Sequence, residues 1–189
     1  MPSEPAELDV RPLTPERWPD LEDLFGPNGA IAGCWCMYWR TAGRDPYGSE
    51  NRAAFHSRVS ADPPPGLLAY ADDRAVGWVQ VGRREEFARI ERSRHLGPID
   101  DVPVWSVNCF YIRRGYRKRG IARALLDEAI AFAAGHGAAT LEAYPVDRPA
   151  AGTGEIYTGV PSMFAAAGFT EVARRHPSRP IMRRPLTPS

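Results

Sequence analysis

Phe110-Tyr111-Ile112-Arg113-Arg114-Gly115-Tyr116-Arg117-Lys118-Arg119-Gly120-Ile121-Ala122 joins three kinds of sequence without a break. It closes a run of β-formers, Val104 to Ile112, that predicts a strand. A tight basic loop, Arg113 to Arg119, leads directly into a helix expected over Gly120 to Ala134. Ala122, Leu125, Leu126, Ala129 and Ala133 fall on one face of that helix at three- and four-residue steps, and Gly135 and Gly137 end it. The first turn of a helix leaves backbone N–H groups unpaired at the positive end of the dipole, so this junction is an anion site suited to a pyrophosphate. Gly120 lets an anion approach the backbone without a Cβ in the way, Ala122 keeps the next turn small, and Lys118 and Arg119 add charge at the rim. A Walker loop is excluded, since Gly-x-x-x-x-Gly-Lys-Ser/Thr is missing, and so is a dinucleotide fingerprint with three spaced glycines.

Upstream, Leu8 to Leu13 alternates like a short strand. Thr14 can cap a helix that holds Pro15 and Glu16 in its first turn and runs to about Phe25. A second helix is expected from Ser49 to about Ser60. Leu67–Ala71 and Ala75–Val81 read as a hairpin around Asp72-Asp73-Arg74. Arg83 to Asp101 reads as a charged surface loop or short helix. Downstream, Thr140–Tyr144 is a strand, Pro161–Ala166 a short helix, and Phe169–Arg175 with Pro180–Arg184 an antiparallel pair. The order β-α-α-β-β-β-α-β-α-β-β predicts a mixed α/β fold in a single domain, residues 8–185, with residues 1–7 and 186–189 as flexible termini.

The chain of 189 residues carries 24 basic and 23 acidic residues, a formal charge of +1. That balance argues against nucleic acid as a partner. With no apolar leader and no membrane-length run, a soluble cytoplasmic protein is expected. Cys34, Cys36 and Cys109, odd in number and irregular in spacing, suit a reducing compartment and give no metal site, because a structural zinc wants a second pair of ligands.

Arg117-Lys118-Arg119-Gly120-Ile121-Ala122 resembles the Arg/Gln-x-x-Gly-x-Gly/Ala signature of the GNAT (GCN5-related N-acetyltransferase) superfamily. The preceding Phe110-Tyr111-Ile112 strand, the amphipathic helix and the late Gly168-Phe169 pair extend the resemblance over nearly the whole chain. It implies a central, mostly antiparallel sheet of about six to seven strands flanked by about four helices, and splayed at the acyl-CoA strand. It also implies acetyl-CoA as co-substrate, held by Phe110, Tyr111, Ile112 and Arg117 to Ala122. The implied reaction is direct transfer of an acetyl group to a primary amine of a small molecule. Rate would come from holding both reactants in attack geometry, with backbone N–H groups polarising the carbonyl.

Two departures from the family pattern stand out. Many relatives carry a carboxylate where this chain has Asn108, and a tyrosine thiolate acid where it has Phe164. Glu142 is then the first candidate base and Tyr157 or Tyr144 the acid, with Asp147 and Glu155 further candidates. Trp35, Tyr38 and Trp39, together with Asn108 and Tyr144, are expected to line the acceptor pocket, although the aromatic segment also reads as core. A non-catalytic acyl-CoA-binding domain is the alternative function, and an acetylating toxin acting on charged tRNA a third. A homodimer through the C-terminal strands is compatible with the sequence.

Overall fold

The computed structural model describes residues 8–43, 48–149, 152 and 155–187. Seven strands form one sheet in the order β1-β2-β3-β4-β5-β7-β6. The strands are β1 (Asp9–Pro12), β2 (Gly66–Ala71), β3 (Arg74–Arg83), β4 (Trp105–Ile112), β5 (Thr140–Ala143), β6 (Thr170–His176) and β7 (Arg179–Pro185). Five α-helices flank them: α1 (Trp18–Phe25), α2 (Ser49–His56), α3 (Ala88–Glu91), α4 (Ile121–Gly135) and α5 (Pro161–Ala166). The mixed α/β, mostly antiparallel architecture expected from the sequence is the one observed.

The β2–β3 hairpin turns through Asp72 and Asp73, both at positive φ (49° and 59°), as a two-residue turn matched to strand twist requires. α4 packs its stripe of Ile121, Leu125, Leu126, Ala129, Ile130 and Ala133 on one face of the sheet, with Phe164 of α5 beside it. Gly77 of β3 makes that approach possible: a Cβ there would stand 2.8 Å from Ile121 Cγ2. The opposite face carries an aromatic core in which Trp18 stacks on Trp35 at 5.8 Å and Phe25 meets Trp78 edge-on.

β4 changes character along its length. It pairs with β3 throughout but with β5, in parallel, only over Trp105–Val107. From Asn108 to Ile112 its second side is free of β5, which is the expected splay. A bulge falls at the same place, because Gln80 faces Cys109 while the next β3 residue, Val81, faces Val107. The extra residue resets the alternation, so Val107 and Phe110 both reach the core under α4.

Several boundaries differ from the sequence reading. Thr14 makes no side-chain cap; a three-residue 3₁₀ turn, Pro15–Arg17, precedes α1. α2 ends at His56 instead of Ser60, whereas Arg83–Asp101, expected as a loop or short helix, does hold short helices, a 3₁₀ turn and α3. The C-terminus stays attached beyond Pro185: Leu186 is buried in the α4 core and its N–H donates to the Ala139 carbonyl at 2.9 Å. Residues 1–7 and 188–189 lie outside the described residues. β6 is an edge strand whose exposed face carries the Arg174 pairs with Glu171 and Asp147, charges that discourage edge-to-edge pairing.

Candidate active site

The basic loop reaches α4 through two left-handed residues, Lys118 (φ 62°) and Gly120 (φ 80°). Backbone of this kind turns successive N–H groups toward one side and makes an anion-binding concavity. Among the described residues nothing accepts from the N–H groups of Lys118, Arg119, Gly120, Ile121 or Ala122. A Cβ on Gly120 would meet nothing within 4 Å, so space for a ligand lies directly over the helix start. Arg117 folds back to donate from Nε to the Ile112 carbonyl at 3.2 Å, tying the loop to the end of β4, and Arg119 lies over the Tyr116 ring.

On the open side of β4, Phe110 and Ile112 direct their backbone groups outward, since the intervening Tyr111 and the following Arg113 face β3. The Phe110 N–H already has a partner: it donates to the Tyr157 carbonyl at 2.6 Å. The chain between β5 and α5 therefore returns to the splay, pinned also by Val146 N–H on the Gly159 carbonyl at 2.9 Å.

Beside this edge lies a pocket of about 220 Å³. Cys109, Phe110 and Tyr111 form its β4 wall, Tyr38 and Trp39 its overhang, and Tyr157 closes it. All three cysteines line it, with the Cys36 and Cys109 sulfurs 3.8 Å apart and Trp78 Nε1 donating to Cys36 Sγ at 3.0 Å. Burial, reinforced by Cys109, pushes the Cys36 thiol well up, so it stays protonated. Burial likewise raises the Tyr157 hydroxyl, with Cys109 and Tyr38 adding to the effect. No carboxylate is among the described residues lining this pocket.

The polar groups gather elsewhere, under the closed half of β4. Glu142 of β5, opposite Ser106, is 1% exposed. Its Oε2 accepts from Arg183 Nε at 2.6 Å and its Oε1 from the Tyr144 hydroxyl at 2.6 Å, with Arg84 Nη1 3.5 Å from Oε1. Arg183 also grips Asp100 through both terminal nitrogens, at 2.6 and 3.0 Å, and the Tyr144 oxygen lies 2.9 Å from Ser106 Oγ.

The sequence profile of the acetyltransferase (GNAT) family matches residues 28–153, two thirds of the chain and the part that builds the loop, β4 and all of the pocket wall but Tyr157. The chain belongs to this family. As a GNAT protein it is an acyl-CoA-dependent N-acetyltransferase in family terms, and solved structures share its fold. An N-acetyltransferase from Staphylococcus aureus Mu50 is 13% identical with a TM-score of 0.59, covering 96% of this chain and 99% of that one. PaiA N-acetyltransferase from Thermoplasma acidophilum, solved in complex with coenzyme A, is 16% identical with a TM-score of 0.55, covering 95% and 99%. Ribosomal-protein-S18-alanine N-acetyltransferase from Escherichia coli is 15% identical with a TM-score of 0.53, covering 96% and 95%. No curated protein matches the chain in sequence.

Of the residues singled out from the sequence, the structure brings Tyr38, Trp39, Phe110, Tyr111 and Tyr157 to one pocket. Trp35 does not join them; it is buried in the aromatic core against Trp18, so the pocket expectation for it is corrected. Glu142 and Tyr144 are bound into the buried network, away from the pocket lining. Asn108 is fully buried at the bulge, and neither atom of its amide has a partner among the described residues. Asp147 pairs with Arg174 and Glu155 with Arg148. Phe164 packs between Phe110 and Phe169 as core. Among the described residues no helix is long and apolar enough to cross a membrane, and no three His, Cys, Asp or Glu side chains are grouped to hold a metal. The clustering of the cysteines was hidden in the sequence, because Cys36 and Cys109 are far apart in the chain; only the aromatic density around Cys36 hinted at a wall.

Proposed function

We propose that this protein moves an acetyl group from acetyl-CoA to the primary amine of a small molecule, by direct attack in a ternary complex. The observation that carries the reading is the small aromatic pocket set against the open half of β4, one loop away from the unpartnered N–H groups of Lys118 to Ala122. In this reading those N–H groups, with Arg117 and Arg119 nearby, hold the pyrophosphate. The outward groups of Phe110 and Ile112 align the acyl arm, and the thioester lies beside Cys109. Tyr157, on the pocket wall, hydrogen-bonds the departing sulfur in this reading, and its raised hydroxyl stays protonated throughout. Glu142 is better supported as a positioning residue that fixes β5 against β4 than as the base, since its oxygens are already taken. Proton removal from the ammonium then falls to water in the pocket mouth. A narrow apolar pocket of this size favours a small amine over a folded protein terminus.

A second reading, acyl-CoA binding without turnover, is favoured by one observation, the lack of a carboxylate among the described pocket-lining residues. Thermal unfolding with acetyl-CoA, CoA and ATP, beside Gly120→Glu, followed by thiol release with a panel of amines, separates the two. Stabilisation by acetyl-CoA and CoA that is lost in the variant, together with amine-dependent thiol release, is expected. No stabilisation at millimolar ligand overturns both readings. Stabilisation with no turnover leaves only the second.

A further inference from the structure

Tyr38 and Trp39 wall two pockets of opposite chemistry. The first is the apolar pocket at the open half of β4. The second, of about 550 Å³ and wide open, is lined by Arg92, Ser93, His95, His176 and Arg179, and no carboxylate is among its described lining residues. The His95 and His176 rings meet edge-on at 5.2 Å.

Arg179 is the unusual member. The buried arginines Arg40, Arg84 and Arg183 each meet a carboxylate, at 2.8, 2.7 and 2.6 Å. Arg179, at the start of β7, is held by one bond from Nη2 to the Tyr144 carbonyl at 2.9 Å and has no carboxylate partner among the described residues. Its Nε is buried and unpartnered. So is Trp39 Nε1, whose ring centre lies 5.9 Å from the Arg179 guanidinium carbon. Burial draws Arg179 below the ordinary arginine range, and the Tyr157 and Tyr38 hydroxyls offset only part of that. A partly desolvated cation whose described partner is one carbonyl is left without a counter-charge, and an anion in the pocket that Arg179 lines supplies it.

We infer that the second pocket receives a carboxylate of the acceptor molecule, which lies across Trp39 with its amine in the apolar pocket beside Cys109. The acceptor class is thus an amino acid-like compound whose amine and carboxylate are separated by an apolar span. This rests on the acetyltransferase reading for the amine's destination, but the carboxylate site is tested without turnover.

The experiment titrates ω-aminoalkanoates of increasing length calorimetrically, with and without CoA; each, 6-aminohexanoate for example, is compared with its amide and with the matching alkylamine. The expected result is a carboxylate bound at least about tenfold tighter than its amide at one chain length, a difference of about 1.4 kcal/mol. Arg179→Gln should bring the two affinities together, and Arg179→Lys should recover only part of the preference. Retained stabilisation of each variant by acetyl-CoA shows that it is folded. Equal affinity of carboxylate and amide, or no binding across the series, overturns the inference. Thiol release with neutral amines in that case would leave the acetyltransferase reading standing; carboxylate-selective binding with no thiol release from any amine would do the reverse.

Discussion

The two halves of β4 share one hydrogen-bonded neighbour, β3, and differ in the other. Trp105–Val107 is clasped by β5, and next to it Glu142, Arg183, Asp100, Tyr144 and Ser106 satisfy one another in a closed network. Asn108–Ile112 is free of β5, and on that side its Phe110 N–H meets the Tyr157 carbonyl; it has an unpartnered buried amide at the bulge and a neighbouring loop whose N–H groups find no described acceptor. One half is closed by the fold, and the other is where the proposed function puts its ligand. The difference teaches that one strand carries mutually paired polar groups where β5 covers it and, where β5 does not, the unpaired ones to which the proposed function assigns its ligand.

The contrast is sharpest if the two halves fail in different ways. Glu142→Gln should cost about 3 kcal/mol in urea unfolding, because it weakens a buried pair and leaves Arg183 and Arg84 undercompensated. Its stabilisation by acetyl-CoA should persist, and so should turnover per folded molecule. A large loss of turnover in folded protein would return Glu142 to the role of base. Gly120→Glu should behave the other way round. The unliganded protein loses only about 1 kcal/mol, for a left-handed non-glycine residue. The stabilisation of about 2.7 kcal/mol that ligand gives at a hundred times its dissociation constant should vanish.

Hydrogen exchange reads the comparison without mutation: the amides of Ser106 and Val107 should be the slowest in β4, and Ile112 should slow markedly only on adding acetyl-CoA. Uniform protection along β4 in the free protein would contradict the splay. The smallest effect belongs to Asp100, whose carboxyl is held below its ordinary value of 3.8, chiefly by Arg183. A depressed acid stabilises the fold above its unfolded value and loses that contribution as pH falls through its folded value. The stability gap between wild type and Asp100→Asn should therefore be full above about pH 4 and close in stronger acid.

Much of this arrangement was legible in the sequence. β4, the basic loop and α4 announce themselves by a change of hydrophobic period at Arg113–Gly120, and the β2–β3 hairpin by its paired aspartates. Those signals are local, and so were read correctly. The insertion of β7 between β5 and β6, the bulge at Asn108 and the fate of Glu142 depend on which strand lies next to which. A glutamate on a short strand looks the same in sequence whether Arg183, 41 residues away, reaches it or not. Trp35 and Trp39, separated by one turn of chain, end in different places because Trp35 and Cys36 take positive φ and redirect the backbone between them. Arg179 gave no signal at all among so many arginines; its distinction is a missing neighbour, which no sequence displays.

The bond from Phe110 N–H to the Tyr157 carbonyl makes the protein its own competitor. Any extended ligand that pairs there must first evict a segment of the same chain. Its measured dissociation constant is then the intrinsic one divided by the fraction of molecules in which that carbonyl has already let go. If acetyl-CoA pairs there as proposed, changes that loosen the Tyr157 carbonyl from Phe110 tune how much acetyl-CoA the protein needs.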